Sequence, residues 1–273
     1  MRPTSKRPPL IVLLTDFGTR DEYVGVMKGV ISSINPEART IDLSHDLHPH
    51  DIMEAGFMLY RSYRFFPEGT IFLVVVDPGV GTERRIIIIR QASYYFLAPD
   101  NGVLSFIFKK EEAKMVVWVT KKGTGYFLPT ISRTFHGRDC FAPIAAHLSK
   151  GVALAKFGRE IDDPTILHIP APSISLKNSL VGEVIYIDRF GNLITNIDYE
   201  TFEDFQKRHP KKLLKVRVGR KIIPKLSSSY RDAGPNELLA IYGSSNHLEI
   251  SLNLGSAKDS LRANKGTRIE VSP

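Results

Sequence analysis

The sequence contains a single cysteine, Cys140, among 273 residues. One thiol cannot form an intrachain disulfide, so a reducing compartment is the expected location. Long apolar runs are also missing: the longest, such as Ile71–Val76 and Ile86–Ile89, are strand-sized and far too short to cross a bilayer. No apolar segment of signal-peptide length follows the start at Met1–Pro9. We therefore expect a cytoplasmic protein without a membrane segment.

Motifs of several enzyme classes are absent as well. There is no Gly-x-Ser-x-Gly elbow and no Cys/His spacing typical of zinc. The glycines at Gly79–Gly81 lack the third glycine of a dinucleotide fingerprint. The kinase-like triplet Asp16–Gly18 precedes His136–Asp139, which reverses the order that a kinase requires. We interpret as loop residues, not metal ligands, three neighbouring histidines: His45, His48 and His50.

The charge balance is basic, with 37 Lys and Arg against 29 Asp and Glu and a net charge of +8. Such an excess suits nucleic-acid binding or a solvated basic surface, and we favour the surface. The densest cluster has no Phe or Tyr interleaved for base stacking. Its members are Lys207, Arg208, Lys211, Lys212, Lys215, Arg217, Arg220 and Lys221.

Alternating strand and helix patterns in the first part of the chain predict an α/β domain with a mostly parallel sheet. The continuous apolar runs Leu10–Leu14 and Ile71–Val76 are typical of strands buried on both faces. Helical spacing predicts helices over 24–34, 51–66 and 139–148. Short apolar segments predict further strands over 40–43, 85–90 and 94–98.

The texture changes after a Pro-rich stretch at His168–Ser175, which is typical of a linker. Beyond it, short strands predominate, and only Tyr199–Arg208 has a helical pattern. We predict an N-terminal α/β domain over 1–168, a linker over 169–178 and a smaller β-rich C-terminal domain over 179–273.

Two loops follow the buried strands, and each places a carboxylate, Asp16 or Asp77, at the strand tip. In open α/β sheets ligands bind beyond the carboxyl ends of the strands, so these Asp suit a ribose diol, a metal or a positioned water. The alternative is that each Asp caps a turn. His136, before Gly137, is a candidate for proton chemistry, with a backbone-bonded buried histidine as the alternative.

An ordered set of short motifs resembles the S-adenosyl-L-methionine hydrolase family, also called hydroxide adenosyltransferases, which is related to the fluorinase and chlorinase. The resemblance spans both predicted domains in order. The motifs that carry it are Thr15–Gly18 with Asp21 and Tyr23–Gly25, Met27–Val30, Val76–Thr82, Ala98–Gly102, Thr134–Asp139, Asp188–Asn196 and Tyr242–Ser245.

The resemblance implies a C-terminal β-barrel-like domain and a homotrimer, with each active site between the N-terminal domain of one subunit and the C-terminal domain of the next. It implies in-line attack of an activated water at the ribose C5′ of S-adenosyl-L-methionine, giving adenosine and methionine. The leaving group is a sulfonium that becomes a neutral thioether, so no metal, cofactor or general acid is implied.

Site residues follow from the same resemblance. Asp77, Arg84 and His136 match the water-activating trio; Arg85 is the adjacent alternative to Arg84, and strand alternation lets only one of the two face the site. Asp16 matches the ligand of the ribose hydroxyls. The other substrate-binding positions are Asp21, Tyr23 and Asp188 at the methionine amino end, Asn192, Tyr230 and Leu254 at adenine, Ser244 and Ser245 near the methionine carboxylate, and the neighbouring Glu249.

The resemblance also separates water from halide as the nucleophile. The fluorinase has Tyr, Thr and Ser around its halide, where this chain has Asp77, Val80 and Gly137. A carboxylate repels a halide and accepts a hydrogen bond from water. The alternatives are a chloride adenosyltransferase, a non-catalytic adenosine or S-adenosyl-L-methionine binding protein, and a basic nucleic-acid-binding protein; we expect neither nucleic acid nor a membrane as a partner.

Overall fold

The chain forms two compact units, Met1–His168 and Ile169–Pro273. The computed structural model describes residues 8–110, 115–119, 125–210 and 212–273, so Met1–Arg7 and Lys211 of the basic cluster lie outside the described residues. The strands of the first unit are β1 (Leu10–Thr15), β2 (Arg39–Ser44), β3 (Ile71–Val75), β4 (Ile86–Gln91), β5 (Tyr94–Pro99), β6 (Met115–Val119) and β7 (Gly158–Glu160). Its helices are α1 (Tyr23–Ile34), α2 (Ile52–Ser62), α3 (Ser105–Lys110) and α4 (Ala142–Ser149).

The first unit is built on one sheet with strand order β2-β1-β3-β5-β4-β6-β7. The four strands β2, β1, β3 and β5 are parallel, whereas β4, β6 and β7 pair antiparallel. The predicted α/β class is therefore confirmed, with a mixed rather than uniformly parallel sheet. The antiparallel part arises because β4 returns directly into β5 through a tight turn at Ala92 and Ser93, too short for a crossover helix.

Both faces of this sheet are covered, as the continuous apolar runs predict. Alternate residues of β1 point to opposite sides: Ile11 and Leu13 join the core beneath α1 and α4, and Val12 and Leu14 join the core beneath α2. The carboxyl ends of β1 and β3 lie side by side, because Thr15 pairs with Val75. The loops after these two strands therefore start at the same edge of the sheet.

The second unit is an antiparallel, nearly closed, barrel-like sheet with strand order β12-β11-β15-β9-β10-β14-β13, which confirms the expected C-terminal class. Leu226, just after β12, forms a bridge to Ala240 of β13, so the two ends of the strand order approach each other. The elements are β8 (Ser173–Ile174), β9 (Leu180–Ile187), β10 (Leu193–Asp198), α5 (Tyr199–Lys207), β11 (Lys215–Val218), β12 (Lys221–Ile223), β13 (Leu238–Tyr242), β14 (His247–Leu252), α6 (Ala257–Leu261) and β15 (Arg268–Ser272).

Two segments differ in detail from the sequence patterns. The stretch predicted as a linker contains β8, which pairs with β9. The segment predicted as a helix over 139–148 is helical, but its first part belongs to a π-helical turn at Gly137–Phe141, which precedes α4. Such a turn widens the helix by one residue per turn and is frequent at functional sites.

Among the described residues, no helix combines the length and the apolar character that a bilayer crossing requires.

Candidate active site

The loop after β1 holds Asp16 at the edge of the sheet. The Asp16 side chain is only 7% exposed, and its Oδ2 accepts a hydrogen bond of 2.8 Å from the backbone N–H of His50, which immediately precedes α2 and its N-cap residue Asp51. Gly18 adopts a left-handed φ of 71° and donates its N–H to the carbonyl of His45 at 2.8 Å. The carboxylate is thus held between two loops of one unit, on the side where the parallel strands end.

Asp21 and Tyr23 follow at the start of α1, where both are exposed. The Tyr23 ring lies 5.0 Å from the Phe135 ring and 5.7 Å from the Phe17 ring, and all three are mutually inclined. The cluster joins the Asp16 loop to the segment that carries His136. Sequence reasoning named Tyr23 but missed Phe17 and Phe135 as its neighbours, although both residues stand inside the quoted motifs.

The loop after β3 carries Asp77, whose carboxylate forms a close ion pair with Arg84. Arg84 Nε lies 2.8 Å from each Asp77 oxygen, and Nη2 contacts Oδ2 closely. The two side chains are 5% and 10% exposed, so the pair is shielded from solvent. Charge-assisted contacts to both carboxylate oxygens fix the guanidinium plane as well as its position.

Arg84 also reaches His136, whose Nδ1 lies 3.0 Å from Nη2. A guanidinium can only donate hydrogen bonds, so this Nδ1 is the acceptor and the neutral ring carries its proton on Nε2. His136 is buried and immediately precedes the π-helical turn. The Phe141 ring of that turn lies 5.4 Å from the guanidinium carbon of Arg84. Asp77, Arg84 and His136 therefore form one connected cluster, with the arginine in the centre.

Arg85 points elsewhere. Its Nε donates to Asp100 at 2.6 Å and its Nη1 to Asp163 at 2.7 Å. Burial alone would lower the pKa of Arg85, but the two carboxylates outweigh it and raise the pKa. Of the two adjacent arginines, the structure places Arg84 with the other members of the predicted trio.

The loops of the trio fit together because of a glycine. Gly81 has a left-handed φ of 79°, and a Cβ at this position would collide with the carbonyl of Arg133. The 77–85 loop can therefore approach the segment that leads to His136 only with glycine here. Nearby, burial raises the pKa of Asp139, but hydrogen bonds from Arg138 and Ser132 outweigh burial and lower it, so this carboxylate anchors the turn after His136.

In the second unit, Asp188 and Asn192 form a compact turn after β9. Asp188 Oδ1 accepts the backbone N–H groups of Phe190 and Asn192, and Oδ2 accepts Asn192 Nδ2, each at 2.9 Å. Gly191, with a φ of 80°, packs against Ser256 at the start of α6, which brings the turn near the segment of Leu254. Leu254 itself is 83% exposed.

Tyr230 and Glu249 lie in contact in the same unit. The Tyr230 hydroxyl donates to Glu249 Oε1 at 2.7 Å, and Ser251 Oγ donates to the same oxygen at 2.8 Å. Burial, the hydrogen bond to Glu249 and the charge of Asp188 raise the pKa of Tyr230 to about 12. Ser244 and Ser245 form the turn of the β13–β14 hairpin, beside Gly243, which packs against Glu249. The predicted positions of the second unit thus occupy adjoining turns and one strand.

The three histidines interpreted as loop residues do lie between β2 and α2, but two of them support Asp16. The close spacing of the three histidines was the only sequence signal for this role. His50 contacts Asp16 through its backbone N–H, so the type of residue at position 50 could not have predicted the contact. Within the described residues, no group of three or more His, Cys, Asp or Glu is arranged to hold a metal ion.

Known proteins match nearly the whole length of this chain. The family models described as SAM hydroxide adenosyltransferase N-terminal domain and C-terminal domain match residues 11–158 and 182–270, where SAM denotes S-adenosyl-L-methionine. An (R)-S-adenosyl-L-methionine hydrolase from Thermus thermophilus is 32% identical over 266 residues, covering 96% of this chain and 98% of the relative. Another from Methanocaldococcus jannaschii is 33% identical over 269 residues, covering 96% and 95%.

A fluorinase and a solved structure are also similar to this chain. A fluorinase from Nocardia brasiliensis is 28% identical over 301 residues, covering 99% of each chain. The crystal structure of an uncharacterized conserved protein from Thermotoga maritima is 38% identical with a TM-score of 0.88, covering 96% of this chain and 100% of that one.

Proposed function

Because this chain belongs to the SAM hydroxide adenosyltransferase family, we propose that it hydrolyses S-adenosyl-L-methionine to adenosine and L-methionine at the cluster of Asp77, Arg84 and His136. The observation that carries this proposal is Arg84, which contacts both the Asp77 carboxylate and His136 Nδ1. The cluster combines acceptor oxygens with a fixed cation, which is what a water developing hydroxide character requires.

The step is a direct displacement. A water oxygen forms a bond to the ribose C5′ while the C5′–S bond breaks and its electron pair goes to sulfur, which becomes the neutral thioether of methionine. The water proton leaves to an acceptor oxygen of Asp77 and then to solvent, so one proton is released per turnover. We propose that no metal or cofactor takes part, because the sulfonium already is a good leaving group.

The chain's residues orient this water rather than supply strong base. Paired with Arg84, the Asp77 carboxylate remains an acceptor that holds a water O–H in line with the C5′–S bond. His136 Nδ1 already accepts the hydrogen bond from Arg84, so it cannot also take the proton of the water; we propose that His136 holds Arg84 in place beside the water. A halide offers only acceptor capacity and meets the Asp77 oxygens unfavourably.

Two further parts of the proposal rest on the family resemblance. We propose that Asp16 holds the ribose hydroxyls, that Asp21, Tyr23 and Asp188 hold the methionine amino end, and that Asn192 and Tyr230 contact adenine. We also propose that the protein acts as a homotrimer in the cytoplasm, with residues of two subunits in each site; the single cysteine, Cys140, is buried and forms no disulfide, which suits a reducing compartment.

Product analysis tests the activity. Purified protein is incubated with S-adenosyl-L-methionine, with and without chloride, and the products are separated and identified by mass spectrometry. We expect adenosine, methionine and one proton per turnover in both buffers, and EDTA without effect. Asp77→Ala should lose the activity, whereas the matched control Asp163→Ala, which removes a partner of Arg85, should keep it.

Other outcomes each exclude this function. 5′-Chloro-5′-deoxyadenosine as the product in chloride would identify a halide transferase. Tight binding without turnover would identify a binding protein.

A further inference from the structure

Behind the Asp16 loop lies a buried histidine that the proposed chemistry does not use. His45 is 4% exposed, and its Nδ1 lies 2.8 Å from Thr15 Oγ1, at the last residue of β1. Its backbone carbonyl accepts the N–H of Gly18 at 2.8 Å. One residue of the β2–α2 connection thus contacts both ends of the Thr15–Gly18 loop.

The other side of the imidazole faces a charged pair. His45 Nε2 lies 3.1 Å from Asp42 Oδ1, a close contact whose angle departs from that of a straight hydrogen bond. Asp42 Oδ2 accepts from Lys28 Nζ of α1 at 2.6 Å. Burial raises the pKa of Asp42, but the hydrogen bond and charge of Lys28, together with the neighbouring His45, outweigh burial and lower the pKa. The charged groups nearest to His45 are therefore Asp42 of β2, which contacts the ring, and Lys28 of α1, which contacts Asp42.

The donors and acceptors have a defined order. The Asp42 carboxylate can only accept, which favours a proton on Nε2 of His45; Nδ1 is then the acceptor of the Thr15 hydroxyl. Thr15 Oγ1 in turn accepts the backbone N–H of Phe17, at 3.3 Å. The connectivity Asp42–His45–Thr15 is that of an activated nucleophile. However, Thr15 is fully buried, so no substrate reaches its hydroxyl and the role of the network is structural.

We propose that His45 is a positioning residue that holds the Thr15–Gly18 loop so that Asp16 presents its carboxylate to the ribose of the substrate. The proposal rests on the proposed function of Asp16. Three contacts from one connection fix this loop: the His45 ring on Thr15, the His45 carbonyl on Gly18, and the His50 N–H on Asp16 Oδ2. Among the described residues, Asp16 Oδ1 accepts no hydrogen bond, which leaves it as the oxygen for a ribose hydroxyl.

The mechanism separates binding from chemistry. Asp16 contacts the ribose, whereas the displacement occurs at the cluster of Asp77, Arg84 and His136, of which Asp77 follows the neighbouring strand β3. Loosening the Asp16 loop should therefore weaken the binding of adenosine and of S-adenosyl-L-methionine while the chemical step keeps most of its rate.

Thr15→Val tests the network, because it removes the hydroxyl with little change in volume. We expect the Kd for adenosine, measured by calorimetry, and the KM for S-adenosyl-L-methionine to rise about tenfold, with kcat within about threefold of wild type. Thr15→Ser keeps a hydroxyl at this position, so both constants should stay close to their wild-type values. The matched control is Thr70→Val, which removes another buried threonine hydroxyl at the opposite end of the sheet, where it donates to Pro67.

The outcomes separate this proposal from the function itself. Unchanged adenosine affinity in Thr15→Val, or an equal loss in Thr15→Ser or Thr70→Val, would overturn the positioning role. If wild type binds adenosine but does not hydrolyse S-adenosyl-L-methionine, the proposed function fails, and the adenosine constants still decide the role of His45. If folded wild type does not bind adenosine, Asp16 holds no ribose and the positioning proposal falls.

Discussion

Arg84 and Arg85 are neighbours in the chain with opposite surroundings. Arg84 lies between a carboxylate and a neutral imidazole, whereas Arg85 lies between two carboxylates, Asp100 and Asp163. Only the planar fork of an arginine can donate to Asp77 through Nε and to His136 through Nη2 at the same time. The identity of residue 84 should therefore matter more than its charge.

Arg84→Lys keeps the positive charge but cannot make both contacts. We expect kcat for S-adenosyl-L-methionine hydrolysis to fall about a hundredfold with a small change in KM, because the contacts hold the attacking water rather than the substrate. Steady-state kinetics of the purified variant measures both constants.

Arg85→Lys is the matched control. It weakens the ion pairs to Asp100 and Asp163, so it should lower the melting temperature slightly and leave kcat near the wild-type value. An equal loss of kcat in the two variants would show that Arg84 acts through general stability and not through the cluster.

At the residue scale, the sequence predicts which residues belong to the site better than it predicts the contacts between them. Strand alternation predicts that only one of the two arginines faces the site, and motif spacing favours Arg84. The contact of Arg84 with His136 joins residues 52 positions apart, so it depends on the packing of two loops that no local pattern describes. Likewise His50 supports Asp16 through its backbone N–H, which any residue could supply.

Among the elements, the 3₁₀ turn Tyr230–Asp232 holds the aromatic ring proposed for adenine. Asp232 closes this turn by accepting hydrogen bonds from the side chains and backbone N–H groups of Ser228 and Ser229. The hydroxyl and backbone bonds of Ser228, followed by those of Ser229, lower the pKa of Asp232 to about 2. The ionised carboxylate is therefore the form that the folded turn favours.

Acid should remove this contribution. Since the pKa of Asp232 is lower in the folded protein than its ordinary 3.8, the stabilisation is present above pH 3.8 and is lost as the pH falls through about 2. Asp232→Asn should unfold at lower urea than wild type near pH 5, and this difference should disappear near about pH 2.

Asp259→Asn, an exposed carboxylate on α6, is the control and should show little difference from wild type at any pH. A difference between wild type and Asp232→Asn that persists unchanged to the acid limit would contradict the assignment of the shift to Asp232.

Elements with strong patterns could be predicted from the sequence. The apolar runs give β1 and β3 within one residue of the observed ends, and the helical spacing gives α1 and α5. Short elements could not be predicted: α6 has only five residues, too few for a periodic signal, and its N-terminus depends on a Ser256 cap. The π-helical turn before α4 has an ordinary helical pattern, so its extra residue per turn is decided by tertiary contacts.

At the scale of the whole molecule, the proposed substrate contacts are shared between the two units. The cluster of Asp77, Arg84 and His136 lies in the first unit together with Asp16. Asp188, Asn192 and Tyr230 lie in the second unit, residues 169–273. If each site takes its two halves from different subunits, as we propose, then defects in the two halves can complement each other in a mixed oligomer.

Mixing two inactive variants tests this arrangement. Asp77→Ala lacks the carboxylate of the Asp77, Arg84 and His136 cluster, and Asn192→Ala lacks an adenine contact, so each homo-oligomer should have little activity at substrate concentrations far below the wild-type KM. After co-refolding at equal ratio, a site is intact when its first half comes from the Asn192→Ala subunit and its second half from the Asp77→Ala subunit. Random assembly into trimers gives this combination in about one quarter of sites, so about one quarter of wild-type activity should return.

The controls distinguish a site shared by two subunits from a site completed within one subunit. Light scattering of wild type should give three times the chain mass of 30.6 kDa. Co-refolding Asp77→Ala with Arg84→Ala should restore nothing, because both changes fall in the same half and no mixture contains an intact one. If the first pair also recovers no activity although mass spectrometry shows mixed oligomers, each site is completed within one subunit and the shared-site proposal is wrong. Recovery in the first pair alone requires that two chains contribute to one site.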